Sequence, residues 1–163
     1  MTPHDGREAD DTYRQLGVPG LLRLARRAYG NAVRAAFAES GFDDMPRNGG
    51  YLLARVYDGR YAVADLIRSL GISKQAVSQL VDTMVTRGYV ERKPDAEDRR
   101  RMQLTLTPRG EAAATVSWQA VTRTDAELER RLSADGVDAL RRGLIALCEM
   151  SDEQPAEPES EAD

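Results

Sequence analysis

Cysteine, histidine, tryptophan and phenylalanine are scarce in this chain of 163 residues, which has one cysteine, one histidine, one tryptophan and two phenylalanines. A single cysteine, Cys148, excludes an intrachain disulfide framework and a thiolate zinc cluster. The only histidine, His4, lies in a polar N-terminal stretch, so a metal-dependent or histidine-based active site has almost nothing to work with. No catalytic constellation, metal or cofactor is expected. Long apolar runs are also lacking, since none approaches the roughly 18 to 20 residues that a membrane span needs. His4, Asp5, Glu8, Asp10 and Asp11 give the N-terminus the wrong charge for a signal peptide. The expectation is a cytoplasmic, non-enzymatic protein.

What the chain does contain is 41% hydrophobic and 31% charged residues with 6% aromatic, in alternations of Ala, Leu, Val, Arg and Glu that point to a mainly helical protein. Its formal net charge is −4, which at first argues against a nucleic-acid partner. The charge is unevenly spread. Between Arg60 and Gly110 ten basic residues face six acidic ones, whereas Glu149 to Asp163 holds seven acids and no base. The chain is acidic because its tail is, and the middle is a basic stretch in an acidic protein.

The apolar spacing assigns the elements. Residues 1–16 read as a flexible N-terminal tail. A long amphipathic helix covers Val18 to Phe37, with Leu21, Leu22, Ala25, Ala28, Tyr29, Ala32, Val33, Ala36 and Phe37 on one face, interrupted near its start by Gly17, Pro19 and Gly20. A second helix is predicted from Pro46, a good first helical position, to Tyr57, with Asn48, Gly49 and Gly50 against it. Val63, Leu66, Ile67 and Leu70 form the stripe of a short third helix closed by Gly71. Ser73 is placed to cap a fourth helix that buries Val77, Leu80, Val81, Met84 and Val85 and ends at Gly88.

After Gly88 the period changes from helical to alternate. Tyr89 to Lys93 and Met102 to Thr107 read as paired strands, separated by a charged run from Asp95 to Arg101. Thr107 and Pro108 then launch a fifth helix, with Val116, Ala120, Thr124, Leu128 and Leu132 along one edge. Ser133 signals the start of a sixth, with Val137, Leu140, Leu144 and Leu147 as its stripe and Ile145 and Cys148 beside it. Residues 151–163 read as an acidic disordered tail. The fold class is therefore mainly α with a small β-wing. Residues 46–107 form a winged helix-turn-helix, flanked by helices at 17–45 and 108–150. Those flanking helices have apolar faces too wide for the surface of a small head, and pairing with a second copy of the chain is expected over packing within one copy.

An α-helix fits the major groove of duplex DNA with the residues of its first turns nearest the bases. On the fourth helix the outward face holds Gln75, Gln79, Asp82 and Thr86, with Lys74 and Ser78 on its shoulders. Gln75 and Gln79 can pair bidentately with adenine, and Lys74 can reach guanine or phosphate. Ser73 either caps the helix or contacts phosphate. Asp82 would be repelled by phosphate, which places it beyond the groove. Arg99, Arg100 and Arg101 at the wing tip suit a narrow minor groove, with Asp98 orienting one of them. A solvated charged loop is the alternative that the position between two strands argues against.

Gly88-Tyr89-Val90-Glu91-Arg92, then Asp95-Ala96-Glu97-Asp98-Arg99-Arg100, then Leu104-Thr105-Leu106-Thr107-Pro108-Arg109-Gly110 resembles the three-part signature of the MarR family of transcriptional regulators, with Ala96 where the family usually has proline. The resemblance extends with less specificity over Leu21 to Met150. It implies a symmetric homodimer, triangular in outline, whose terminal helices form the interface and whose two heads read a palindromic double-stranded operator. It further implies that Arg100 enters the minor groove and that Asp98 orients the wing. Many relatives are repressors that release DNA when a small lipophilic or phenolic effector enters a cleft between the head and the dimer helices. Here Tyr29, Tyr51, Arg55 and Trp118 are the candidates to line such a cleft, with ordinary packing as the alternative. Other relatives sense oxidants through an N-terminal thiol that this chain lacks. Cys148 is expected to be a buried small apolar residue, with redox response as its alternative role. A winged-helix protein-interaction module that reads no DNA is the rival functional class.

Overall fold

The computed structural model describes residues 13–59, 63–94 and 102–153, with side chains up to residue 150. Its elements are α1 (Val18–Glu39), α2 (Gly49–Tyr57), α3 (Val63–Leu70), α4 (Lys74–Thr86), β1 (Val90–Pro94), β2 (Met102–Leu106) and α5 (Pro108–Glu153). They divide into two compact units, Met1–Thr122 and Arg123–Asp163.

The first unit is built on one core. Phe37 of α1, Leu52, Leu53 and Val56 of α2, Leu66 and Leu70 of α3, Val77, Leu80, Val81 and Met84 of α4, Tyr89, Val90 of β1 and Ala113 of α5 are buried together. Each such leucine contributes roughly 1.5 to 3 kcal/mol by leaving water. The two strands pair antiparallel, from Val90 opposite Leu106 to Pro94 opposite Met102. Burial falls along the ribbon. Val90 is buried at its base, whereas Arg92, Lys93 and Met102 towards the tip are exposed.

Local chemistry sets the boundaries, and in places it overrides the sequence expectations. Pro19 and Gly20 do not interrupt α1, which runs unbroken from Val18. Proline in the first turn costs nothing, because the amide it lacks would have no intrahelical partner there. The second helix starts at Gly49, not at Pro46, because Asn48 takes a left-handed conformation with φ 66° and breaks the run. Gly49 and Gly50 are there for packing. A Cβ on Gly49 would lie 2.5 Å from the Met45 sulfur and 3.1 Å from that of Met84, and one on Gly50 would meet the Phe37 ring at 3.2 Å. Strand β1 begins at Val90, and β2 ends at Leu106, leaving Tyr89 and Thr107 to the connections.

In the second unit Ser133 breaks the long helix, as its start signal requires, with φ 64° and ψ 166° and its hydroxyl accepting from the Gly136 amide at 3.4 Å. Glu127 pairs with Arg130 and, at 2.8 Å, with Arg131. The apolar stripe beyond Ser133 is largely exposed among the described residues. Leu140, Ile145, Leu147 and Met150 are exposed. Cys148 is exposed as well, which corrects the expectation that it is buried. Its stripe is apolar and is exposed among the described residues.

Candidate nucleic-acid interface

The fourth helix presents two faces of opposite character. Val77, Leu80, Val81 and Met84 are buried, while Ser73, Lys74, Gln75, Ser78, Gln79, Asp82 and Thr86 are exposed. The 3.6-residue period accounts for this split, since residues three and four apart share a face. Ser73 is a helix cap: its hydroxyl accepts from the Ala76 amide at 3.2 Å. That satisfies one of the amides orphaned at a helix start, and it leaves Lys74, Gln75 and Ser78 on the exposed first turns. The wing residues Asp98, Arg99, Arg100 and Arg101 lie outside the described residues.

Sequence reasoning missed how the helix is tied to its surroundings. Asp82, expected to lie beyond the groove, is paired with Arg92 of β1 at 2.6 Å in an exposed ion pair between the helix and the first strand. At the other edge of the head, Asp44 Oδ1 accepts from the Tyr89 hydroxyl at 2.5 Å and from Arg109 Nη2 at 2.8 Å. These contacts join residues 45 and 65 positions apart, and no periodicity announces them. The one available signal is the pattern of Thr107 and Gly110. Thr107 caps α5 by accepting from the Gly110 amide at 3.1 Å, and its hydroxyl donates to the Gly88 carbonyl at 2.5 Å. The carboxyl of Asp44 is held below the usual range, first by the Tyr89 hydrogen bond and then by the Arg109 charge. The Tyr89 hydroxyl is pushed up to about 12, first by burial and then by the hydrogen bond to Asp44.

A cavity of about 280 Å³ opens between α3, α4 and the ribbon, lined by Val63, Lys74, Val77, Ser78, Val81, Arg92, Met102, Gln103 and Leu104. Tyr29, Tyr51, Arg55 and Trp118 do not line it. Trp118 is 68% exposed and Tyr51 is exposed, while Tyr29 and Arg55 are half-buried. Arg55 Nε is buried with no hydrogen-bond partner among the described residues. Gly50 of α2 lies against Phe37 of α1 and Ser117 of α5. Among the described residues no group of His, Cys, Asp and Glu could hold a metal ion, and no helix is long and apolar enough to cross a membrane.

Comparison with known proteins agrees with this geometry. Residues 44–101 match the model of the MarR family. The fold is similar to that of the reduced form of MarR from E. coli, at TM-score 0.62 and 22% identity, over 81% of this chain and 96% of that one. A mutant of E. coli MarR complexed with operator DNA is similar at TM-score 0.62 and 23% identity, over 80% and 92% of the two chains. A mutant of S. aureus MepR is similar at TM-score 0.54 and 18% identity, over 86% and 99%. No curated protein matches the chain. The matched segment covers α2 to the wing, the head whose caps, ribbon and exposed helix face have just been described, so over these residues the chain is similar to the MarR family and it has the winged helix-turn-helix fold of the E. coli protein.

Proposed function

We propose that this protein is a homodimeric, sequence-specific DNA-binding regulator of transcription, acting as a repressor that a small effector relieves. One observation carries the reading. The fourth helix is capped and fully packed on one side, yet its other side offers Lys74, Gln75, Ser78 and Gln79 bare on the first turns. These are groups able to read base edges, at the end of a helix that enters a major groove. The complex of the E. coli MarR mutant with operator DNA supports the same use of the fold. In this reading Arg99, Arg100 and Arg101 reach the minor groove, Asp98 orients them, and Ser73 serves the helix as its cap. The bare apolar faces of α1 and of α5 beyond Ser133 pair with those of a second copy, which sets two heads about one helical turn of DNA apart.

The effector reading rests on Arg55, whose buried, unpartnered Nε suits an anion that enters beside Tyr29, Tyr51 and Trp118. A lipophilic anion bound there would act by changing the separation of the two heads, and a hundredfold loss of operator affinity needs a coupling of about 2.7 kcal/mol.

Selection of bound fragments from genomic DNA, followed by a salt titration on the recovered duplex, tests the reading. A palindromic duplex is expected, bound more tightly than random DNA and with affinity that falls steeply as salt rises. A protein that binds the recovered and random duplexes equally at every salt concentration would be a protein-interaction module instead. Gln79→Ala is expected to weaken the recovered duplex by about 1 to 3 kcal/mol while leaving the unfolding midpoint unchanged.

A further inference from the structure

The far end of the groove helix is held by a cluster that the groove-facing residues do not use. Just past α4, the Tyr89 ring is fully buried, 6.1 Å from the ring of Phe42. The Arg109 guanidinium lies over it at 4.4 Å from the ring centre. Through Nη1 the same guanidinium donates to the Arg87 carbonyl at 2.8 Å, and through Nη2 to Asp44 Oδ1 at 2.8 Å and to the Tyr89 oxygen at 3.3 Å. Arg87 in turn donates to the Asp44 carbonyl. A cation over the last carbonyls of a helix is favoured by the helix dipole, and a single carboxylate oxygen shared by a phenol and a guanidinium fixes both directions at once.

This joint has little slack. A Cβ on Gly110 would lie 1.9 Å from the Tyr89 carbonyl oxygen, so the first turn of α5 runs against the segment leaving α4 with no room for a side chain. The Thr107 amide donates to that same carbonyl at 3.1 Å. Helix α4 has 13 residues and is therefore about 20 Å long, and a tilt of about 10° at this joint would move its first turn by roughly 3 Å. A base contact tolerates far less, because a hydrogen bond is lost when its donor and acceptor part by much beyond about 3.2 Å.

We propose that the Asp44, Tyr89 and Arg109 cluster is a positioning latch: it sets the angle at which the groove helix stands on the start of α5, and it thereby sets specific DNA affinity without touching DNA. The proposal rests on the DNA-reading function proposed above. It makes these three positioning residues for recognition that takes place at the opposite end of the helix.

Asp44→Asn in the full chain separates the latch from simple electrostatics. The test measures binding, by fluorescence anisotropy at several salt concentrations, to the duplex that the wild-type protein recovers from genomic DNA and to a scrambled duplex of equal length. Removing an acid makes the protein less negative, so electrostatics alone would tighten both duplexes. The latch is expected to weaken the recovered duplex at least tenfold and to leave the scrambled one unchanged or slightly tighter. Equal or tighter binding of the recovered duplex overturns the proposal. So does a loss that only follows the folded fraction at the assay temperature, which would make the cluster structural and nothing more. Should Asp44→Asn not fold, Tyr89→Phe keeps the ring beneath Arg109 and removes only the hydroxyl. A threefold or greater loss on the recovered duplex at unchanged salt slope is expected, and undiminished binding overturns the latch. A wild-type protein that does not discriminate the two duplexes defeats the DNA-reading function itself, which is a different result from a wild type and a variant that discriminate equally well.

Discussion

Leu52 and Leu53 of α2 are wholly inaccessible to solvent, whereas Ile145, a side chain of the same size on α5, is 53% exposed with Leu140, Leu147 and Met150 exposed around it. The first group belongs to a unit that completes its own core. The second belongs to a helix whose apolar stripe is exposed among the described residues. A helix of either kind needs a packed face for most of its stability, so the difference separates the unit that completes its own core from the helix that the proposed homodimer would cover.

The sharpest way to break that comparison is to truncate one residue of each kind. Leu53→Ala is expected to cost about 2 to 5 kcal/mol, through lost burial and the cavity left behind. Its effect on thermal unfolding should not depend on protein concentration. Ile145→Asp is expected to do the reverse, leaving the head folded while shifting the protein from dimer to monomer in sedimentation and making its remaining stability independent of concentration. A monomeric wild-type protein, or an Ile145→Asp variant that stays dimeric, would show that the bare stripe is not the interface.

A smaller effect sharpens the account of the head. The Tyr89 hydroxyl ionises at about 12 in the folded protein against 10.0 for a free tyrosine, mainly because it is buried. Folding therefore favours the protonated phenol. The stability this contributes is complete below pH 10 and is lost as pH rises towards about 12, by roughly 2 to 3 kcal/mol in all. Chemical denaturation at several alkaline pH values should show the decline, and Tyr89→Phe should flatten it. Asp44 has the opposite sign, because its carboxyl is held low. Its contribution is present above about pH 4 and disappears as pH falls through its depressed value.

Helix α4 and the two strands after it were legible in the sequence because local rules agree there. Ser73 caps, Gly88 stops, and the period changes from helical to alternate within two residues. The start of α2 was not legible, since what matters at Gly49 and Gly50 is the approach of Met45, Met84 and Phe37, side chains from three other parts of the chain. The pairing of Asp44 with Arg109 was not legible for the same reason, the two being 65 residues apart. Cys148 shows a further limit. Periodicity marks an apolar stripe, but it does not say whether the chain's own side chains cover it. The candidate effector residues Tyr29, Tyr51, Arg55 and Trp118 came from the cleft that the family resemblance implies, and among them the buried nitrogen of Arg55 stands out in the structure.

The smallest expected effect lies between the two regimes, on the exposed surface of the completed head. Arg92 and Asp82 are 45% and 59% exposed and meet at 2.6 Å. An ion pair so open to water contributes about 0 to 1 kcal/mol, because solvent screens it and two long side chains must be ordered to form it. Asp82→Asn should therefore leave the unfolding midpoint nearly unchanged, with any shift vanishing at high salt. Its effect should appear in binding. Asp82 lies one turn beyond Gln79 on the same face of α4, so removing its charge is expected to tighten random and recovered duplexes by a similar small factor at low salt. A selective loss on the recovered duplex would instead mean that the wing strand depends on this pair for its place beside the groove helix. The head would then be less complete on its own than its buried core suggests.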